Sequence, residues 1–426
     1  MKRLLFLSQT LPYPPDGGVN IRTYHVLRLL AQEFAISALC FYRRQDRASR
    51  EAVEAGLAGL RTFVRADAFP IPQEHAPWRR VWDHARSVIH RRAYTVYAYE
   101  SSGFRARLDG LLASRSFDVV HVDSLDLSAY LPALAGLPIV CTHHNVESVL
   151  LRRRAERERA PWRRAYLAWQ AGLVERVERM WCERVALNVA VSRSDREELG
   201  RIAPRATVTV VPNGVDVSTF EPAPGADDGI VFVGGANWFP NRDALEYFCR
   251  DILPLVRARC GSVSVRWVGR CSERDAKTFG ERHGVALTGY VADVRPYVRD
   301  AACYVVPLRV GGGTRLKILD AWAMGKAVVS TSIGCEGLTA VDGVNILVRD
   351  TAAGFAEAVR TVLADEAFRA HLGGNGRRTV EGAYDWNVIG RELLRSYRSL
   401  GDGLPSRGAA MTSALADLTG PSPSRE

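Results

Sequence analysis

The sequence lacks any long apolar run. After Lys2 and Arg3 the first apolar stretch, Leu4 to Leu7, ends at Ser8, which is too short for the core of a signal peptide. No run of about 18 apolar residues, the length that a membrane-spanning helix needs, occurs anywhere. We therefore expect a cytoplasmic protein with neither a cleaved leader nor a membrane-spanning helix.

Signatures of metal sites, disulfides and nucleophilic triads are also missing. The eight cysteines contain no C-x-x-C pair, and most lie in apolar runs, where a thiol behaves as a small hydrophobe in a reducing compartment. No Asp-x-Asp and no His, Cys and carboxylate spacing typical of zinc or iron occurs, and G-x-S-x-G is absent. The sequence therefore predicts no metal, no cofactor and no Ser-His-Asp hydrolase.

Length and composition indicate two globular domains. The chain has 426 residues, of which 47% are hydrophobic and 24% charged. Its 57 Lys and Arg exceed its 47 Asp and Glu, which gives a net charge of +10. An anionic partner suits this charge, namely a nucleotide, a lipid head group or nucleic acid. Nucleic acid ranks last, because no stacking or recognition-helix motif accompanies the charge.

Short apolar runs alternate with helical stretches along most of the chain. Continuous apolar runs of this kind are typical of parallel strands buried on both faces. The pattern predicts an α/β fold with two Rossmann-like, doubly wound halves. The expected strands are Leu4–Leu7, Ala35–Phe41, Arg61–Val64, Asp118–Val122, Pro138–Thr142, Leu187–Val191 and Thr207–Val211 in the first half, and Ile230–Val233, Ser264–Val268, Ala286–Thr288, Cys303–Pro307, Ala327–Ser330 and Asn345–Val348 in the second.

A linker-like segment, P-A-P-G-A-D-D-G, follows the motif V-P-N-G-V-D and separates the two series of strands. We expect a first domain over residues 1–222 and a second over residues 223–384. Helices are predicted over 352–364 and 366–381, and a last helix over 385–400. The Gly-, Pro- and Ser-rich tail, residues 401–426, is predicted to be disordered.

Residues 304–330 contain a strand, three glycines, a helix and a second strand. Gly311, Gly312 and Gly313 precede the predicted helix, so uncovered amide N–H groups would lie at the positive end of its dipole. Arg315 and Lys317 add positive charge in its first turn. An anion-binding site such as a phosphate site fits this loop, and a glycine turn kept only for packing is the alternative.

Other small or polar residues follow predicted strands, at the edge where open parallel sheets bind ligands. They include Asp123, Gly17 and Gly18, for which a tight turn is the alternative to a substrate-facing loop. Of His143 and His144, each is either a structural hydrogen-bonding residue or a contact to substrate, and His144 is the candidate for the contact. In the second half the candidates are Gly234, Gly235, Asn237, Gly269, Arg270, Gly289 and residues 333–337.

The sequence has two basic segments. The most basic one runs from Leu150 to Tyr166, and the other, around residues 78–92, is rich in Trp and Arg. A solvated helix face is one interpretation of such charge. Docking on an anionic lipid surface is the other, with Trp78, Trp82 and Trp162 as interfacial anchors.

Taken together, the motifs resemble those of family 4-type glycosyltransferases with the GT-B fold, most closely the bacterial members that build exopolysaccharide or surface polysaccharide. The resemblance covers residues 1–400. It rests on the Gly-Gly loop after the first strand and on T-H-H-N-V-E-S at Thr142, V-S-R-S-D at Val191, V-P-N-G-V-D at Val211, V-G-G-A-N-W-F-P-N at Val233 and L-K-I-L-D-A-W-A-M-G-K-A-V-V-S at Leu316.

This resemblance implies a nucleotide-sugar donor held by the second domain, an acceptor held by the first, no metal and retention at the anomeric carbon. The last helix would cross back to the first domain. Asp320 takes the place of the family's ribose-binding glutamate, and His144 matches a histidine near the donor sugar. The implied catalytic residues are His144, Arg315 and Lys317; the implied donor-binding residues are Gly17, Gly18, Gly235, Asn237, Arg270, Gly311, Gly312, Gly313, Thr314 and Asp320.

Two features depart from the family pattern. Gly312 occupies the place of the first motif glutamate, which in the family faces the donor sugar. The usual Arg and Lys after the first strand of the second domain are absent, so diphosphate binding falls to Arg242, Arg270, Arg315 and Lys317.

Three functions remain open from sequence. The first is a retaining glycosyltransferase that adds a sugar to a lipid-linked glycan at the inner face of the membrane. The second is a non-catalytic GT-B protein that binds nucleotide sugar or glycan in a polysaccharide assembly complex. The third is a phosphate-dependent enzyme of the same fold, such as an epimerase or a phosphorylase.

Overall fold

A computed structural model of the protein describes residues 1–15, 17–44, 49–226, 228–311 and 316–402. It contains two parallel sheets, one from each half of the chain. The strands of the first sheet are β1 Lys2–Ser8, β2 Phe34–Tyr42, β3 Arg65–Pro70, β4 Val119–Val122, β5 Ile139–His143, β6 Leu187–Ala190 and β7 Val208–Val210; those of the second are β8 Ile230–Val233, β9 Val265–Val268, β10 Ala286–Leu287, β11 Cys303–Val306, β12 Val328–Ser330 and β13 Leu347–Val348.

Helices connect the strands and cover the sheets. In the first half they are α1 Gly18–Leu30, α2 Arg50–Arg61, α3 Pro72–His75, α4 Pro77–His90, α5 Tyr94–Ala98, α6 Ser102–Ser114, α7 Glu147–Arg157, α8 Pro161–Cys182 and α9 Arg193–Ile202, with a 3₁₀ segment at Leu125–Leu134. The second half has α10 Phe239–Tyr247, a π-helical turn Phe248–Ile252, α11 Leu253–Cys260, α12 Glu273–His283, α13 Arg295–Arg299, α14 Leu316–Ala323, α15 Ala352–Ala364 and α16 Glu366–Ala383, and α17 Trp386–Asp402 ends the described chain.

The strand order of each sheet reverses beside its first strand. The first sheet has the order β3-β2-β1-β4-β5-β6-β7, and the second has β10-β9-β8-β11-β12-β13. Residues Leu4 to Leu7 in β1 are fully buried because helices cover both faces of a doubly wound sheet. This order places the ligand-binding edge at the carboxyl ends of β1 and β4 in one sheet and of β8 and β11 in the other. The predicted GT-B architecture is confirmed.

The sequence-based strand assignments are confirmed except for one. The prediction of a strand at Arg61–Val64 is wrong, because α2 continues to Arg61 and buries Leu57 and Leu60 on its inner face. The third strand begins at Arg65, which pairs with Ser37 of β2. Its short sequence, R-A-D-A-F-P, has too few large apolar residues to give a strand signal.

The last helix packs on the first half of the chain. Trp386, Ile389, Leu393 and Tyr397 of α17 are buried in the same apolar cluster as β1 and α1. The Trp386 ring stacks on His25 of α1 with centroids 4.7 Å apart. The predicted crossing of this helix to the first half is therefore confirmed.

The chain passes twice between the halves, and the two passages pair with each other. The amide of Val215 donates to the carbonyl of Tyr384 over 2.9 Å, and Val215 forms a parallel bridge with Asp385. The division into domains at residues 222 and 223 stays a prediction. The tail that we predicted to be disordered lies, beyond Asp402, outside the described residues.

The eight cysteines are all free, and six of them are buried. This matches their expected role as small hydrophobes. In the parts of the chain that the structure covers, no helix combines the length and the apolar character needed to span a bilayer.

Helix α16 approaches the backbone around α14 so closely that a glycine is required. A Cβ on Gly373 would lie 1.9 Å from the carbonyl oxygen of Gly325, whereas a Cβ on the neighbouring Gly374 would meet only the end of Arg378 at 3.9 Å. We expect Gly373→Ala to lower stability by about 1–3 kcal/mol through overpacking. The matched control Gly374→Ala should raise stability by up to about 1 kcal/mol, because Ala favours a helix interior. Thermal melts of the two variants measure the difference, and equal melting temperatures would contradict this packing.

Candidate functional site

The first loop of one half faces a helix of the other. Gly17 and Gly18 follow β1 and begin α1, where the Ile21 amide donates to the carbonyl of Gly17 over 2.7 Å. A Cβ on Gly17 would meet open space, and one on Gly18 would lie 3.5 Å from the Leu316 side chain at the start of α14. The structure thus brings this glycine pair to the edge of the second half, as a substrate-facing loop requires.

His144 is held by Asp123 at the carboxyl ends of β5 and β4. Its Nε2 lies 3.0 Å from the main-chain oxygen of Asp123 and 3.2 Å from the carboxylate Oδ1. The other carboxylate oxygen accepts from the hydroxyls of Thr23 at 2.6 Å and Ser8 at 3.4 Å. Burial alone would raise the pKa of Asp123, but His144 and His121 outweigh it and hold that pKa well below its usual range. The arrangement leaves Nδ1 as the imidazole nitrogen that Asp123 does not use.

A second histidine connects this pair to the last helix. His121 stacks on Phe6 of β1 with centroids 4.3 Å apart, and its Nδ1 contacts the hydroxyl of Tyr397 in α17. Its Nε2 lies 3.7 Å from the Asp123 carboxylate. Burial lowers the pKa of His121, so it acts as a neutral hydrogen-bonding group.

His143 is a structural residue. It is buried, and its Nε2 lies 2.9 Å from the Asn188 side-chain oxygen and 3.8 Å from the Cys182 sulfur. Burial lowers its pKa to about 4. Of the two adjacent histidines, His144 is therefore the one beside a site.

Three carboxyl groups line a small cavity next to His144: Asp126, Glu147 and Glu178. Burial and the nearby Glu147 raise the pKa of Asp126 to about 7, and burial also raises the pKa of Glu147. Burial raises the pKa of Glu178 to about 7 despite its hydrogen bonds from Ser148. Within the described ranges, no three His, Cys, Asp or Glu side chains are grouped to hold a metal ion.

In the second half, glycines follow β8 and β9, and their loops pack closely against each other. Gly234 donates its amide to the carbonyl of Val268 over 2.7 Å, and a Cβ on Gly269 would lie 2.7 Å from the amide nitrogen of Gly235. Gly234 and Gly269 have φ of 153° and 141°, which favour glycine. The Asn237 side chain lies over Gly235, where a Cβ would be 2.6 Å from its oxygen. These two loops are thus packed too tightly for side chains, and they contact each other backbone to backbone.

Lys317 brings positive charge to the same loops. Its ammonium donates to the Asn241 side-chain oxygen over 2.8 Å and lies 4.0 Å from the centre of the Phe232 ring. A Cβ on Gly234 would be 2.8 Å from this ammonium. The first turn of α14 and the loop after β8 therefore meet at a lysine, as the predicted diphosphate site requires.

The other candidate cations differ in position. The Arg270 guanidinium lies 4.6 Å from the centre of the exposed Tyr290 ring, at the edge with Gly289. Arg242 is not directed at the loops, because it pairs with Asp275 at 2.6 Å and with Glu246 at 2.9 Å. The predicted residues Gly312, Gly313, Thr314 and Arg315 lie outside the described residues.

Asp320 follows Lys317 by one helical turn and is half-buried. Burial raises its pKa to about 7, with Lys317 acting in the opposite direction. Its carboxyl group accepts no hydrogen bond from the residues described, and it lies near the buried hydroxyl of Tyr304. A carboxyl group in this state can accept hydrogen bonds from ligand hydroxyls.

Arg153 joins the halves, and its position was not predicted. On α7, it donates to the carbonyl of Gly311 over 2.5 Å and to the two oxygens of Glu336 over 2.7 and 2.9 Å. One nitrogen, Nη1, contacts both groups, so the Glu336 carboxylate lies beside the glycine loop. From sequence, Arg153 belonged to an undivided charge run; its place ten residues after the end of β5 was the available signal.

Two family profiles and a curated relative match large parts of the chain. A profile described as Glycosyltransferase Family 4 matches residues 16–219, and one described as Glycosyl transferases group 1 matches residues 227–365. Phosphatidyl-myo-inositol mannosyltransferase of Mycolicibacterium smegmatis is 26% identical over 304 residues, which cover 68% of this chain and 73% of that protein.

Solved structures share the fold. Sucrose-phosphate synthase from Thermosynechococcus elongatus has a TM-score of 0.71 at 18% identity, with 95% of this chain and 100% of that chain covered. The Anabaena protein HepE in complex with UDP-glucose has a TM-score of 0.64 at 16% identity, with 94% and 100% covered.

Proposed function

The chain belongs to the family 4-type glycosyltransferases and has their GT-B fold, and on this premise we propose that it transfers a sugar with retention at the anomeric carbon. It uses a nucleotide-sugar donor. The acceptor in this proposal is a lipid-linked glycan of a bacterial surface polysaccharide, and no metal takes part. The observation that carries the proposal is the Lys317 ammonium, which Asn241 holds beside the glycine loop at Gly234 and Gly235.

The donor diphosphate binds at these glycine loops. When the bond between the anomeric carbon and the phosphate oxygen breaks, negative charge develops on the departing diphosphate. Fixed amide dipoles and the Lys317 ammonium stabilise this charge without solvent reorganisation. A protein of the same fold, HepE, is known in complex with UDP-glucose, which supports a nucleotide-sugar donor.

Asp320 binds the ribose of the nucleotide. Its half-buried carboxyl lacks a hydrogen-bond donor among the described residues, and ribose hydroxyls supply two. It occupies the place of the family's second motif glutamate, with a side chain shorter by one methylene.

His144 contacts the donor sugar from the first half. Asp123 fixes its ring through Nε2, so Nδ1 is available to the sugar. The acceptor hydroxyl oxygen forms the new bond to the anomeric carbon, and its proton passes to the departing diphosphate. The sugar-facing carboxylate that Gly312 lacks is supplied in this proposal by Glu336, held beside Gly311 by Arg153.

Gly312 also favours a second candidate, a GT-B protein that binds nucleotide sugar without transferring it. The loss of a motif glutamate is the expected mark of such a protein. Substitution of His144 distinguishes the two.

We expect His144→Ala to reduce sugar transfer or donor hydrolysis at least about a hundredfold, because it removes a contact made at the reacting sugar. Binding of the nucleoside diphosphate should stay within about twofold. Calorimetry with UDP, GDP and ADP first identifies the base, and radiolabelled sugar release then measures turnover, with and without EDTA. No turnover by the unmodified protein, together with normal nucleotide binding, would instead support the non-catalytic candidate.

Substitution of Lys317 tests whether its ammonium binds the diphosphate rather than the nucleoside part of the donor. Lys317→Ala should weaken binding of the nucleoside diphosphate at least about tenfold, since a charge-assisted hydrogen bond contributes about 1.5–3 kcal/mol. Binding of the nucleoside alone should not change. Lys277→Ala, an exposed lysine on α12, is the control. Equal loss of both ligands would show that Lys317 only supports the fold; adding Arg315→Ala tests the predicted second cation.

Comparing a nucleoside diphosphate with its 2′,3′-dideoxy analogue tests whether Asp320 binds the ribose hydroxyls. The protein should bind UDP, or the diphosphate of the preferred base, about tenfold more tightly than its 2′,3′-dideoxy analogue, and Asp320→Asn should remove most of this preference. Because the pKa of Asp320 is about 7 and its ionised form accepts both hydroxyls better, the preference should grow as pH rises from about 6 to about 8. Phosphate ionisation cancels in the ratio. A preference that persists in Asp320→Asn would assign the ribose to another residue.

A further inference from the structure

Helix α4 is packed with its polar side inward. Asp83 and Ser87 are fully buried. The Asp83 carboxylate accepts from the Gln73 amide over 2.8 Å, and the Ser87 hydroxyl accepts from Gln170 of α8 over 2.7 Å while donating to the carbonyl of Arg92. These buried hydrogen bonds fix the rotation of the helix about its axis.

The opposite side of α4 is apolar and faces out. Trp78, Val81, Trp82, Val88 and Ile89 are between 53% and 73% exposed. Their spacing of three, four and seven residues places them in one stripe along the helix. A soluble surface rarely leaves such a stripe uncovered, so a partner must cover it.

The amino-terminal part of α8 extends this surface. Trp162 is 69% exposed and Trp169 is 36% exposed. Between them, the hydroxyl of Tyr166 is hydrogen-bonded to Nδ1 of His84 in α4, at a distance of 2.5 Å. Because Trp162, Tyr166 and Trp169 share one side of α8, the apolar sides of the two helices meet at this contact. We call this surface the α4–α8 face.

On α4 and at the start of α8 the exposed charges are all positive, and the exposed Glu100 beyond α4 pairs with Arg86. In residues 77–92 and 159–170 the one acidic residue is the buried Asp83. Exposed arginines lie at both ends of α4 and at the start of α8: Arg80, Arg91, Arg92, Arg159, Arg163 and Arg164. The preceding arginines differ, because Arg152 pairs with Glu175 and Arg153 with Glu336.

We infer that the α4–α8 face docks on an anionic lipid bilayer, with the tryptophans at the interface and the arginines against the head groups. The inference deepens the proposed function, since it gives a lipid-linked acceptor its route to the site. Charge complementarity selects this occupant: two copies of the chain pairing through this face would bring like charges together, whereas acidic head groups neutralise them. Tryptophan is also the residue that favours the boundary between head groups and acyl chains.

Flotation of the full-length protein with vesicles tests the inference. It should bind vesicles of phosphatidylcholine with phosphatidylglycerol, and bind vesicles of phosphatidylcholine alone much more weakly. Added salt should weaken binding, because head-group attraction is screened. Trp78→Ser with Trp82→Ser should reduce binding at least tenfold, and Arg163→Glu with Arg164→Glu should do so more than about fivefold per arginine.

Two controls separate docking from other effects. Lys277→Glu with Arg282→Glu makes the same charge change on α12 and should bind vesicles as the unmodified protein does. Melting curves and nucleotide binding of all variants should match those of the unmodified protein, which shows that the variants are folded. Vesicle binding is measured without any transfer reaction, so failure of the transferase proposal would not change the flotation result.

Either of two results would overturn the inference. One is equal vesicle binding by the α4–α8 variants and the α12 control. The other is that the protein does not bind vesicles and instead sediments as a dimer, which dissociates when Trp78→Ser and Trp82→Ser are introduced.

Discussion

The buried negative charge of Asp123 is the constraint on which the first half depends. A carboxylate without solvent is costly unless charges and hydrogen bonds compensate it. Compensation here comes from Thr23 in the first helix, Ser8 in the first strand and His144 after the fifth. His121 adds a contact that extends to Tyr397 in the last helix. Four parts of the fold distant in sequence are thus held in one geometry, and the orientation of His144 follows from it.

The second half is built in the opposite way at its own strand ends. Its loops compensate little charge and instead place backbone against backbone, because Gly234, Gly235 and Gly269 pack too closely for side chains. Asp320 is half-buried with no described hydrogen-bond donor, in contrast to Asp123. This contrast distinguishes a structural carboxylate, whose partners belong to the protein, from one whose partners belong to a ligand.

Most of the fold was predictable from sequence because buried parallel strands are continuous apolar runs, as in β1, β5 and β11. The third strand was misplaced because its residues are small and its neighbour α2 supplies the apolar pattern. His144 and Gly18 were chosen as residues that follow strands, and Lys317 was chosen from the first helical turn after the glycine loop; their roles stay predictions.

The contacts of Arg153 were not predictable, and exposure of the α4 tryptophans was implied by only one of the two interpretations of that segment. The partners of Arg153, Gly311 and Glu336, are more than 150 residues away, and local charge patterns do not contain such contacts. The apolar stripe of α4 would ordinarily predict an inward face. The buried hydrogen bonds of Asp83 and Ser87 show that the polar side of the helix faces inward and its apolar side faces solvent.

The paired passages of the chain at Val215 and Tyr384 limit how the two halves can move. A single flexible connection would permit twisting, sliding and bending alike. Two adjacent connections, hydrogen-bonded to each other, resist torsion and translation far more than rotation about the line where they lie. The Arg153–Glu336 ion pair is a side-chain connection between the halves away from these passages, so any rotation that separates the halves at that point has to break it.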